Sequence, residues 1–389
     1  MSDKNSSSAC VEPEWILHHK FDTGLNADSV EFCTVDGYRH LLACGLYQLK
    51  EGEGEPSRRH GSLLLYHVSE ESACASVACS EIHRIEDIDG ILDMKWFPHL
   101  IGQRPALVVA RADGLCCIYS FALEQQDSAE SKLIASCAVA DQGLSLSVDI
   151  SPSSTSEHAV VLTTTSHGDV VCLHAKKQED DADTVSYALE EVARWNAHGF
   201  EAWYAIFDVQ DPAKVYSGGD DGKFKAVKML EDVAQPVQTV RYDVGLCAMQ
   251  FRPEHPSQLA LGGYEQIVWL FDSSNLRTPL SQIDVGGGVW RIKWKQSDPS
   301  LLATATMYNG FHLLRLSDDL EFSVLLHFNN HTEGSLGYGV SWKLPEAEVA
   351  GENVCKGSQS SAGPVCLLAT CSFYDHCLQI WSTPLGERK

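Results

Sequence analysis

One short unit occurs seven times in this chain of 389 residues. It consists of a strand ending in an aromatic or large apolar residue, a second apolar strand, a tight turn, and an alternating third strand. The landmark ending the first strand falls at Phe32, Trp96, Ile150, Phe207, Phe251, Trp294 and Trp342. Successive landmarks are 64, 54, 57, 44, 43 and 48 residues apart, and the shortest steps match the roughly 40–45 residues of one propeller blade. Two adjacent copies are the clearest: Met249 to Phe251 leads to Gln258–Gly263 and Ile267–Asp272, and Ile292 to Trp294 leads to Leu301–Thr306 and Phe311–Leu316.

A unit of this kind cannot bury its apolar faces alone, whereas copies packed face to face around an axis can. The expected fold is therefore all-β, a seven-bladed WD-repeat β-propeller spanning residues 14–383. Asp113-Gly114, His167-Gly168, Asp221-Gly222 and Asn309-Gly310 supply the positive-φ turns between second and third strands. The seventh unit ends at Trp381 without a fourth strand, and Glu14 to Lys20 belongs to no hairpin of its own. This N-terminal strand is expected to close the ring, since closure removes the open sheet edges of a linear array. Residues 1–13 are expected to be disordered, 384–389 to form a tail, and 346–364 to be a disordered insert within the last blade. The longer steps trace to polar stretches at Lys50 to His60, Glu124 to Lys132 and Lys176 to Thr184, expected as surface loops. Literal fingerprints are worn: no Gly-His dipeptide introduces a blade, and Trp-Asp is replaced by Phe271-Asp272 or Trp381-Ser382.

Charge narrows the function. Against 29 Lys and Arg stand 53 Asp and Glu, a formal net charge of −24, which repels a polyanion and attracts cationic groups. No nucleic-acid partner is expected. The 14 cysteines include no C-x-x-C pair, so neither a zinc ribbon nor a redox motif follows. Cys44, Cys116, Cys172 and Cys366 lie in apolar runs and read as small hydrophobes in a reducing compartment. With no signal-like N-terminus and no long apolar run, a cytoplasmic, monomeric protein without membrane contact is expected.

In a propeller of this kind, the loops entering the innermost strands and the turns between second and third strands share one face around the channel. That face collects the unusual residues. Entering loops bring His198, Glu201 and Trp203, then Trp290 and Arg291, then His331, Glu333 and Tyr338; turns bring Asp220, Asp221, Tyr264, Glu265, Tyr308, Tyr374, Asp375 and His376. Aromatics flanked by carboxylates hold quaternary ammonium groups, at about 0.5–2 kcal/mol per cation–π contact. Each residue also has a structural reading: a His entering a blade can simply brace a turn Asp, and Trp203, Trp290 and Tyr338 can be packing at the blade tops. Gly286 to Gly288 lack the strand-loop-helix context of a phosphate loop, and no G-x-S-x-G elbow occurs. A His acting as base on water, oriented by a carboxylate, remains open at His198 or His331, and a metal held by His and Asp is a third chemistry.

Four segments carry a family resemblance: His198 to Trp203 (His-x-x-Glu-x-Trp), Tyr216 to Gly222, Gly287 to Trp294, and Ala369 to His376. Together they resemble the diphthine methyl ester hydrolases, also called diphthine methyltransferases, over about Trp15 to Trp381. The resemblance implies removal of the methyl ester from over-methylated diphthine on the modified histidine of translation elongation factor 2; no cofactor is expected. It supplies no catalytic assignment. The expected catalytic set is His198 or His331 as base with Glu201, Asp221 and Asp375, with Trp203, Trp290, Arg291, Tyr338 and Tyr374 binding the substrate and no metal. The alternative is a non-catalytic adaptor such as a cullin ubiquitin ligase substrate receptor. The Trp-Asp-x-Arg of such receptors is absent where it would fall, at Phe271 to Ser274 and Val227 to Leu230.

Overall fold

A computed structural model describes residues 14–50, 58–71, 76–125, 128–178, 186–231, 233–345 and 365–384. Those residues form seven antiparallel four-stranded sheets, each pairing in the order of its strands from inner to outer. They are the blades of a β-propeller, called 1 to 7 here. Their inner strands are Ala27–Phe32, Ile91–Trp96, Ser145–Ile150, Tyr204–Phe207, Leu246–Arg252, Arg291–Trp294 and Gly337–Trp342. Each ends at or beside its predicted landmark. Ile16–Asp22 pairs antiparallel with Cys377–Pro384 and is the outer strand of blade 7. Among the described residues no helix is long and apolar enough to cross a membrane.

Burial separates the inner strands, whose polar side chains are covered along with the apolar ones, from the outer strands, which meet water. Every residue of Ser145–Ile150 is buried, because both sheet faces meet a neighbouring blade. The outer strand Val233–Arg241 alternates exposed with half-buried positions and meets water on its free edge. The core therefore lies between blades. Trp294 packs with Val268 and Leu270 of blade 5 and Leu302 and Leu314 of its own, and only 2% of it is exposed.

Polar contacts between inner strands fix the blades' relative height. The landmark amide donates to a side chain of the preceding blade rather than to a strand carbonyl. Phe32 N donates to Ser341 Oγ at 2.9 Å, Phe207 N to Asp149 Oδ2 at 2.9 Å, and Trp294 N to Gln250 Oε1 at 2.7 Å. The Trp96 and Trp342 indoles donate to the carbonyls of Glu31 and Lys293, one blade back.

The predicted turn glycines all have positive φ: Gly114 at 77°, Gly168 at 85°, Gly222 at 65° and Gly310 at 67°. At Gly168 a Cβ would also stand 2.1 Å from the His198 carbonyl oxygen, so the turn and the next blade's entering loop demand the same residue. Two of the expected surface loops need correction. Glu124 and Lys132 lie in the paired strands Leu115–Gln125 and Ser128–Ala138, and His60 lies in Arg58–Glu71. The Glu124 to Lys132 stretch belongs to the outer hairpin of blade 2, where one face is solvated and polar residues alternate without breaking the ladder. Lys176 and Lys177 likewise end a strand. The expected disordered segments 1–13 and 346–364, and the tail beyond 384, fall outside the described residues. All eleven described cysteines are thiols, nine of them buried.

Candidate functional site

Four residues before each landmark lies the head of an inner strand: Asp28, Leu92, Leu146, Trp203, Cys247, Trp290 and Tyr338. In blades 1, 2, 3, 5 and 7 the ladder register shifts at this level, and such a bulge re-aims the extra side chain. These equivalent positions ring the channel mouth. Trp290 stacks on Tyr338 with centroids 4.8 Å apart and planes at 23°, and meets Trp203 edge-on at 5.4 Å. The row continues from Trp203 to Tyr264 and from Tyr338 through Phe373 to Tyr374. Blades 4, 6 and 7 thus form an aromatic wall, and the Trp203 indole donates to Asp220 Oδ1 at 3.1 Å. Facing the solvent on the same side are Phe200, Tyr308 and Tyr374, each more than 60% exposed.

Arg291, expected on the rim, lies beneath it and is buried. It pairs with Asp93 Oδ1 at 3.3 Å from blade 6 to blade 2, donates to the Leu92 and Trp290 carbonyls, and lies 5.7 Å from the Tyr204 ring. This ion pair spans the ring and floors the mouth, making a cup rather than an open pore.

Asp28 completes the cup and escaped the sequence reading. It is 3% exposed, and its Oδ1 is buried with no hydrogen-bond partner. Burial pushes its carboxyl up to about 7, with Arg291 opposing the shift and Asp93 adding to it. The signal that could have found it is its place in the repeat, equivalent to Trp203, Trp290 and Tyr338.

The expected histidines lie elsewhere. His198 is buried with both nitrogens used: Nδ1 is 2.8 Å from Asp221 Oδ1 and Nε2 is 2.9 Å from Ser217 Oγ. An ionised carboxylate only accepts, so Nδ1 carries the proton and Nε2 accepts from the serine. Asp221 also accepts from Gly199 N and Lys223 Nζ. Although burial alone would raise its pKa, the hydrogen bonds from Lys223 and His198 hold it well below the usual carboxylate range. Burial lowers that of His198. A general base needs a lone pair facing its substrate, and His198 offers none.

Blade 7 repeats the arrangement. His331 and His198 each stand six residues before an inner strand, at Gly337 and Tyr204. His331 Nδ1 is 2.6 Å from Ser372 Oγ and 3.6 Å from Asp375 Oδ2. Asp375 takes further hydrogen bonds from Ser372, Ser335 Oγ and Thr332 N. These outweigh burial and lower its pKa, while burial lowers that of His331. His331 Nε2 is buried without a partner, and the ring lies edge-on to Phe311 and Phe328 at 5.0 and 5.9 Å. His331, Asp375 and Cys377 place donor atoms within 4.8 Å of one another, the one described group that could hold a metal. Burial pushes the Cys377 thiol up to about 11, which keeps it protonated. Glu201 is half-buried, its carbonyl accepting from Asp220 N at 2.9 Å.

At the other end of the inner strands a cavity of about 370 Å³ is lined by Glu31, Lys95, Asp149, Lys293, Trp294 and Trp342 among others. Its lysines are already paired, Lys293 with Glu31 at 2.6 Å and Lys95 with Asp149. The unsatisfied charge of the channel is at the mouth.

No family model matches the chain. It is similar to the diphthine methyltransferase of Mus musculus, 35% identical over 337 residues, covering 82% of this chain and 68% of the relative. The Homo sapiens diphthine methyltransferase is 34% identical over 344 residues, covering 82% and 73%. A diphthine methyltransferase homolog of Dictyostelium discoideum is 30% identical over 382 residues, covering 91% and 96%. Among solved structures, a chain of the crystal structure of the mitotic checkpoint complex superposes with a TM-score of 0.62 at 12% identity, covering 100% of this chain and 97% of that one. At that identity the likeness concerns the fold alone.

Proposed function

The chain belongs to the diphthine methyltransferase family, and from that premise we propose that it hydrolyses diphthine methyl ester on the modified histidine of translation elongation factor 2. The products are the diphthine carboxylate and methanol, and the carboxylate is then free for the final amidation. The observation that carries this reading is the aromatic wall of Trp203, Trp290 and Tyr338 at the head of the channel. The substrate's trimethylammonium cannot donate a hydrogen bond, so ring faces and nearby carboxylates are what can hold it. Asp220, hydrogen-bonded to the Trp203 indole, supplies the negative charge locally, and the net charge of −24 supplies it at long range.

In this reading Tyr374, with Tyr308 and Phe200, meets the protein around the modified residue, and Arg291 keeps the floor in place. His198 with Asp221 and His331 with Asp375 brace the loops that carry the wall, with Glu201 in the same entering loop as Trp203. Incubating the purified protein with elongation factor 2 bearing the methyl ester tests the proposal. The modified peptide should lose the mass of one methylene, read by mass spectrometry. An unchanged mass under conditions where another esterase cleaves the peptide would overturn it in favour of a non-catalytic adaptor.

A further inference from the structure

We propose that Asp28 is the general base of this ester hydrolysis, its carboxylate taking a proton from the water that attacks the ester of a substrate held in the cup. The inference rests on the function proposed above and names the group that performs it. Three observations meet at Asp28. It occupies the same place in blade 1 as the wall residues occupy in blades 4, 6 and 7, so it lies at their level of the channel, buried beside them. The ladder shifts between Ala27 and Ser29, and the bulge at Asp28 sets it apart from the pleat. Its Oδ1 is buried without a hydrogen-bond partner, where a structural carboxylate would be satisfied, as Asp221 and Asp375 are.

A buried carboxyl oxygen without a partner costs stability, and such groups persist where chemistry uses them. The titratable groups acting with it are Arg291 of blade 6, Asp93 of blade 2, and Tyr338 and Cys371 of blade 7. Arg291 is the one opposite charge among them, and it is already committed to Asp93. A carboxyl titrating at about 7 is well matched to taking and returning a proton near neutrality.

The step balances without a cofactor. Asp28 takes one proton from water as the oxygen bonds to the ester carbon. The tetrahedral intermediate then breaks its bond to the methoxy oxygen, which leaves as methanol with the proton returned by Asp28. The new carboxylic acid releases its own proton to solvent, so one water is consumed and one methanol, one carboxylate and one proton are formed.

The test is Asp28→Asn, with Asp28→Glu as the conservative partner, assayed on the methyl-ester form of elongation factor 2. Asp28→Asn should lower kcat by about 10²-fold or more, the range of a lost general base, with KM within about threefold of wild type. Asp28→Glu should restore part of the rate. Wild-type kcat should fall as pH drops through about 7, and the residual rate of Asp28→Asn should lack that limb. A variant turning over at the wild-type rate would overturn the assignment, and so would a raised KM at unchanged kcat, which would make Asp28 a counter-charge to the ammonium. If neither substitution folds, the wild-type profile decides: a rate flat between about pH 6 and 8 overturns the proposal. Failure of the underlying reading looks different, since wild-type protein would then leave the ester intact.

Discussion

Asp221 and Asp28 are both buried carboxylates on the mouth side of the propeller, one in a turn of blade 4 and the other at the head of blade 1. Asp221 receives His198, Lys223 and the Gly199 amide; Asp28 Oδ1 receives nothing. Their pKa values move in opposite directions for that reason. Residue type does not separate a brace from a reactive group, since His, Ser and Asp side by side look catalytic in a sequence. What separates these two carboxylates is whether their own hydrogen bonds close. In blade 4 they close completely, and the same spacing recurring in blade 7 marks the cluster as a property of the repeat.

The strongest way to break this contrast is to remove the brace. Asp221→Ala leaves His198 Nδ1, the Lys223 ammonium and the Gly199 amide without their acceptor, and should cost about 2–4 kcal/mol of stability. Urea unfolding would show it, while the folded fraction turns over within about threefold of wild type. Wild-type stability with abolished turnover would make the braces the chemistry and erase the distinction. A double substitution on the other side, Trp203→Ala with Trp290→Ala, removes two ring faces from the wall. At about 0.5–2 kcal/mol per contact it should raise KM by roughly 10-fold or more, with a smaller change in kcat.

Most of the fold was legible because a propeller writes its period into the chain. Phe32, Trp96 and Trp342 are landmarks since each blade must bury the same large side chain between itself and its neighbour. The turn glycines were legible because only glycine takes their φ so close to the next loop. The extra residues of the longer repeats misled: polarity in Glu124 to Lys132 reads as loop, but an outer strand with a solvated face tolerates it. At the site, Trp203, Trp290 and Tyr338 were found through their aromatic character. Asp28 shares their position but not their chemistry, and one acid among 53 acidic side chains carries no signal until its missing partner is visible. Arg291 was placed one level too high, because the sequence does not show that Asp93 reaches it across the ring.

The two regions should also separate with pH. Asp28 has a folded pKa above its unfolded value, so it favours the folded state most at low pH and loses that contribution as pH rises through about 7. His198 and His331 have folded values below 6.5, so stability is lost as pH falls below 6.5 and the unfolded chain takes protons the braces refuse. Asp28→Asn should therefore gain stability over wild type from about pH 4 to pH 8, by on the order of 1–2 kcal/mol once the cost of a buried amide is counted. His198→Ala should show its largest deficit near neutrality and a smaller one at about pH 5. Parallel stability curves for the two variants would mean that mouth and brace titrate alike, against the contrast drawn here.

The smallest expected effect tests where the cup ends. Tyr374 continues the aromatic row from Phe373 at 5.1 Å, yet it is 62% exposed. Water at its ring face screens a cation and leaves the contact near the low end of the range, about 0.5 kcal/mol. Tyr374→Ala should thus raise KM by only about twofold, with kcat and unfolding unchanged, whereas Tyr338→Ala, on the inner side of Phe373 in the row and stacked on Trp290, should do markedly more. Equal effects would move the cation outward to the rim. A KM change for Tyr374→Ala seen with intact elongation factor 2 but not with a short modified peptide would instead assign this ring to the protein around the modified histidine.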